Sequence, residues 1–256
     1  MHNVRSSALV FASDQDAITR YNFPSALEVA RVLRLHDTLD VLSLIPFRFP
    51  LKSPDGFPPH HAPNGSLHQI ALLPTSADDL ATKLSRHRVG GTKSAPMTFI
   101  LGFGSGHGSK GGITRVRQAS PFFTEAHASL FRQGILVFAA CFKNDTFPRQ
   151  IVKLPNHRVN AVLGYTGLWG FTPLGIEHNG QRPYHVFKAR YLDCLIQPIH
   201  SLLQGRSAGE SLQDCQQSWS RLAQRCNNPN MKIIAERNAT NIRLWGEPTA
   251  RLPVSP

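Results

Sequence analysis

The chain has 256 residues, 41% of them hydrophobic and 17% charged. That is enough apolar material for a sizeable core and too much for wholesale disorder. No apolar stretch approaches the roughly 20 residues that cross a bilayer, so a membrane span is not expected. Lys and Arg outnumber Asp and Glu by 28 to 16, a net charge of +12. A balance this basic suits an acidic partner such as nucleic acid. The charges are spread along the chain with no basic run, which does not favour that partner.

Ala8 to Ala12 reads as a strand, too brief for a signal-peptide core. Pro24 to His36 reads as a helix with Pro24 in its first turn and Leu27, Val29, Val32 and Leu35 on its apolar face. Asp40 to Ile45 reads as the next strand. Phe49 to His68 is a loop rich in Pro, Gly and His. Ser76 to His87 reads as a helix, with Ser76 as N-cap and Asp78 and Asp79 in the first turn. Gly90 to Ser94 is a turn, and Met97 to Leu101 an apolar strand.

A glycine loop follows, Gly102-Phe103-Gly104-Ser105-Gly106-His107-Gly108. Thr124 to Gln133 reads as a helix ending at Gly134, and Ile135 to Ala140 as a buried strand running into Cys141. Val159 to Tyr165 is a further strand, and Thr166 to Gly180 a long loop. Tyr184 to Leu203 looks helical, with Pro198 expected to kink or interrupt it. Ala208 to Arg225 is a helix. Beyond Cys226 the signals weaken, so 226–256 is expected to be irregular and Pro248 to Pro256 a loose tail. Alternating strands and helices argue one α/β domain over 1–256, with a mostly parallel sheet and helices on both faces.

Two strand ends carry the chemistry. Parallel strands of one βαβ unit have their C-terminal ends on one edge. His107 and Cys141 each follow a core strand, so that edge would bring together an imidazole and a thiol, the minimum equipment of a cysteine nucleophile. The glycines around His107 leave room for a substrate, and the Gly108 amide could face an oxyanion. A phosphate loop is the rival, since Gly106 to Gly111 matches G-x-G-x-x-G. The residues after it, Gly112 to Val116, look extended, and the phosphate site needs a helix there.

Cys194, Cys215 and Cys226 lie in or beside helical patterns as core residues. No CxxC pair or zinc spacing exists, and all four cysteines read as reduced thiols of a cytoplasmic protein. His60, His61 and His68 lack partner carboxylates. No metal and no cofactor is expected.

The run Phe99 to Gly108, a hydrophobic strand followed by a small residue, Gly, His and Gly, resembles the histidine motif of caspase-like cysteine peptidases. Ile135 to Cys141 is similar to their nucleophile motif, and its Ala140-Cys141 end comes closest to the CHAT domains. Asn160 to Tyr165 and Gly205 to Leu212 resemble later segments of that subfamily. The resemblance runs from about Ala95 to Arg225.

It implies a caspase-like three-layer sandwich and a cysteine endopeptidase with a His107–Cys141 dyad. Such an enzyme cleaves a protein substrate, is regulated in a signalling or defence pathway and can have an activating protein partner. The amides of Gly108 and Cys141 would hold the oxyanion. Thr166, Gly167 and Trp169 match the loop that pairs with substrate backbone. Ala139 departs from the family, whose members carry Gln or Asp there. Asp145 is the nearest acid after the nucleophile and the remaining candidate to meet the substrate. A catalytically inactive caspase-fold interaction module and a basic nucleic-acid-binding α/β protein are the alternatives.

Overall fold

A computed structural model describes residues 6–13, 17–36, 39–45, 68–72, 78, 82, 99–115, 119–166 and 183–253. Six strands run parallel: β1 (Ser6–Ala12), β2 (Leu39–Ile45), β3 (His68–Leu72), β4 (Phe99–Ser105), β8 (Phe131–Phe142) and β9 (Val159–Thr166). A seventh, β10 (Ile242–Gly246), joins β9 antiparallel and forms one edge. The order across the sheet is β10-β9-β8-β4-β1-β2-β3. The chain thus builds outward from β1 to β3, returns to β4 on the other side of β1, and continues to β9. Three short strands, β5 (His107–Ser109), β6 (Gly112–Thr114) and β7 (Pro121–Phe123), form a separate antiparallel meander.

The helices are α1 (Ala17–Arg34), α2 (Glu125–Ala128), α3 (Thr146–Ile151), α4 (Pro183–Leu203), α5 (Ala208–Gln224) and α6 (Pro229–Asn241). Successive strand residues point to opposite faces, so a strand buried on both sides is apolar throughout. Ile135, Val137 and Ala139 of β8 enter one core, with Phe23 and Leu33 of α1, Ile199 of α4, Trp219 of α5 and Ala235 of α6. Leu136, Phe138, Ala140 and Phe142 enter a second core, with Ile113, Phe122 and Phe123 of the meander and Phe147 of α3. Phenylalanines dominate this second core: Phe11 stacks on Phe123 at 4.5 Å, and Phe138 meets Phe123 edge-on at 5.9 Å. Each such side chain is worth roughly 1.5–3 kcal/mol when fully buried.

The α/β class and the mostly parallel sheet are as expected, and the long helices occupy one face. Among the described residues the other face is covered by the meander and the short α2 and α3, a thinner layer than the expected one. The expected crossover helix at Thr124 to Gln133 is a single turn. Gln133 takes a left-handed φ of 51°, and Phe131 already pairs with Phe99 in the sheet.

Several other elements differ from expectation. Helix α1 starts at Ala17, so Pro24 lies inside it and not in its first turn. Burial of its apolar face, Phe23, Ala26, Val29 and Leu33, in the core outweighs the hydrogen bond a proline forgoes. Helix α4 likewise continues through Pro198. His68 opens the edge strand β3 and does not close a loop. Residues 229–246 are regular, with α6 capped by the Asn228 side chain and β10 paired along its length. Of the helix expected at Ser76 to His87, Asp78 and Thr82 are helical; the rest, with the loop to Leu67 and the turn at Gly90 to Ser94, lies outside the described residues.

Candidate active site

Strands β4 and β8 are direct neighbours, and Ser105 stands opposite Ala139. Cys141 lies two residues beyond Ala139 in β8, and His107, two residues beyond Ser105, opens β5. The close approach of Gly108 to the Cys141 backbone keeps both residues at the sheet's C-terminal edge. Cys141 is half-buried and packs on the helix-side core, following the alternation of Val137 and Ala139. His107 is half-buried too.

After Ser105 the chain leaves the sheet and enters the meander at His107. Opposed residues in an antiparallel pair share a face. His107 pairs with Thr114, and Gly108 with Ile113. Ile113 is fully buried in the phenylalanine core, so His107 stands on the opposite face of the hairpin. The Thr114 hydroxyl donates to the His107 carbonyl at 3.3 Å. The Ser13 hydroxyl at the end of β1 donates to the Arg115 carbonyl at 2.8 Å, which ties the meander to the sheet edge.

The glycines have separate tasks. A Cβ on Gly104 would come within 2.4 Å of the Phe11 ring, so this glycine serves the core. A Cβ on Gly108 would come within 2.2 Å of the Cys141 carbonyl oxygen. Only a residue without a side chain lets the backbone after His107 lie directly on the backbone of Cys141. Gly112, with φ of 145°, closes the hairpin, and Ser109 Oγ donates to its carbonyl at 2.9 Å. Gly112 to Thr114 is a strand, so no helix N-terminus faces the G-x-G-x-x-G match.

Thr166 is the last residue of β9 and stands opposite Phe142, one residue beyond the Cys141–Tyr165 pair. It therefore shares the edge with His107, Gly108 and Cys141. Its hydroxyl donates to the Asn241 carbonyl at 3.3 Å. Gly167 and Trp169 lie outside the described residues. Asp145 sits beyond the turn after Phe142, at the N-cap of α3, with φ of 53°. Its carboxylate meets the Arg149 guanidinium at 3.5 Å, in a groove shared with Lys153 and Arg243.

Two of the other cysteines are buried. Cys194 is buried, and burial pushes its thiol up to about 12. Cys215 is fully buried and pushed higher still for the same reason; its thiol donates to the Cys194 carbonyl at 3.3 Å. Cys226 is half-buried at the end of α5, with its thiol 3.6 Å from the Asn228 carbonyl. Among the described residues no group of His, Cys, Asp and Glu could hold a metal ion, and no helix is long and apolar enough to cross a membrane.

The sequence reading missed the meander that carries His107. Part of its signal was there: Lys110-Gly111-Gly112 is a tight-turn sequence followed by a run, Ile113 to Val116, that reads as extended. Compared with known proteins, the chain matches no family model and no curated sequence.

Proposed function

We propose that this protein is a cysteine endopeptidase of the caspase/CHAT type, a three-layer sandwich with His107 and Cys141 as its dyad. The observation that carries the reading is the packing of Gly108, next to His107, on the backbone of Cys141, just beyond the Ser105–Ala139 pair of two adjacent parallel strands.

The Cys141 thiolate attacks the carbonyl carbon of a peptide bond, forming a C–S bond and pushing the carbonyl electrons onto oxygen. The Gly108 and Cys141 amides hold that oxyanion. As the tetrahedral species collapses the C–N bond breaks, and His107 delivers a proton to the departing amine. Water then attacks the thioester, releasing the acid and restoring the thiol. Thr166 and the residues after it pair with the extended substrate, whose backbone groups need partners once they leave water. The substrate is a protein, the setting a cytoplasmic signalling or defence pathway, and an activating protein partner fits such control.

A peptide-library cleavage profile tests the proposal. Wild type cleaves, and Cys141→Ala and His107→Ala each lose activity by on the order of a thousandfold, as members of one catalytic unit do. Both variants keep the wild-type circular dichroism. Cleavage by Cys141→Ala at the wild-type rate would end this reading.

A further inference from the structure

In the helix layer, α4 and α5 form a surface cleft of about 190 Å³. Arg190 of α4 and Arg221 and Arg225, at the end of α5, converge on it, with Ser218 and Cys194. All three arginines are exposed, and none is in an ion pair with any described residue. One acid, Asp193, stands on the same rim. Through Arg221 the cleft runs into a second groove of about 370 Å³, lined by Gln213, Gln216, Gln217, Ser220 and Gln224.

From Gln213 to Gln224 this strip extends roughly 16 Å along the helix, at 1.5 Å per residue. No Asp or Glu occurs between Asp214 and Glu236. Asp214 is engaged elsewhere, accepting from Ser201 at 2.7 Å and pairing with Arg206 at 2.8 Å. Arginine, glutamine and serine are donors that hold phosphate and sugar oxygens. Trp219 faces the core, and among the described residues lining the strip there is no aromatic on which an unpaired base could stack, so these residues offer no single-strand platform.

We propose that this α4–α5 surface binds the phosphate backbone of double-stranded nucleic acid, without sequence preference. Arg221 and Arg225, one turn apart, are joined by Arg190 through the packing of two helices. The three take successive phosphates, and the glutamines hydrogen-bond the sugar–phosphate chain beside them. The inference is independent of the peptidase reading, because the strip contains neither His107 nor Cys141.

The test is binding of the full chain to short labelled DNA and RNA duplexes, followed through a salt titration. Three phosphate contacts give a slope of log Kobs against log salt of about −2.7 on DNA, at about −0.9 per phosphate. Each of Arg190→Gln, Arg221→Gln and Arg225→Gln reduces the steepness by about one, and the triple variant loses most of the salt dependence. A charge-matched control, Arg132→Gln with Lys153→Gln and Lys232→Gln, removes three cations elsewhere and keeps the wild-type slope. Circular dichroism confirms that both triple variants are folded. Equal loss in both would assign binding to net charge alone and overturn the proposal. Absence of duplex binding by wild type, preference for a single strand, or equal binding to polyglutamate would overturn it too.

Discussion

Gly108 rests on Cys141: a Cβ at Gly108 would stand 2.2 Å from the Cys141 carbonyl oxygen and 2.9 Å from the Phe142 ring. The contact couples the hairpin that carries His107 to the strand that carries the thiol. Gly108→Ala must push them apart, because one obstacle is backbone and the other a fully packed ring. A misplacement of about 1 Å costs on the order of a hundredfold in a positioned reaction. The expected outcome is a loss of that size in kcat/KM for peptide cleavage, with overpacking lowering stability by about 1–3 kcal/mol. An Ala variant with wild-type kinetics would show that the two backbones need not touch.

The four thiols should be separable by reactivity. Only thiolate reacts with an alkylating reagent. Burial holds Cys194 at about 12 and Cys215 above that, so both stay protonated and covered in the folded protein at mildly alkaline pH. Cys141 and Cys226 are half-buried. Brief iodoacetamide treatment, read by peptide mass spectrometry, should label Cys141 first and Cys226 more slowly, with Cys194 and Cys215 modified only in denaturant. Labelling of Cys194 ahead of Cys141 without denaturant would contradict this order.

Core strands such as Ile135 to Ala140 were legible in the sequence because long apolar runs have few other fates. Gly102 to Ser105, expected as a loop, is instead the second half of β4, its glycines set where Leu136, Phe131 and Phe11 leave no room for a side chain. The cover of the second face was not legible either. Thr124 to Gln133 has good helix formers, yet Phe131 is drawn into a pair with Phe99 and Gln133 turns left-handed, so tertiary packing overrides local propensity. The extended look of Gly112 to Val116 did mark β6, but at three residues the strand is too short for an alternation to reveal its hairpin partners. Asn228 and Pro229 did announce α6, as N-cap and first helical residue. Its weakly amphipathic sequence hid the rest. The arginine cleft was invisible for another reason: Arg190 and Arg221 meet only through the packing of two helices.

Stability should depend on pH through Glu210. Its carboxylate accepts from the Ser207 backbone N–H at 2.7 Å, while the Glu210 N–H donates to Ser207 Oγ at 3.3 Å. Arg251 of the C-terminal segment donates to the same carboxylate at 3.0 Å. These contacts, the Ser207 hydrogen bond first, hold the carboxyl below its ordinary value of 4.5. A group depressed on folding stabilises the protein above its unfolded value and ceases to do so as pH falls through the folded value. Glu210→Gln should therefore lower Tm at pH 7, with the difference from wild type narrowing below pH 4.5. A constant difference between pH 7 and pH 3 in paired thermal melts would refute the linkage.

Specificity at the first subsite turns on Asp145. A carboxylate that selects Arg or Lys must be held at the base of a pocket without another cation beside it, since a buried cation needs a partner. Asp145 does not meet that condition. It stands at the N-cap position of α3, its side chain is 3.5 Å from the Arg149 guanidinium, and Lys153 and Arg243 share its groove. An incoming cation would meet a charge already compensated and a net positive wall. Ala139, at the position where relatives of the proposed type place a polar or acidic side chain, is buried and uncharged. The library profile should show a residue other than Arg or Lys before the scissile bond, and Asp145→Ala should leave that preference unchanged. The protein's +12 charge should favour acidic residues around the cut through long-range attraction, an effect that fades with added salt. A dominant Arg or Lys before the cut that disappears in Asp145→Ala would reverse this conclusion and make Asp145 the specificity residue.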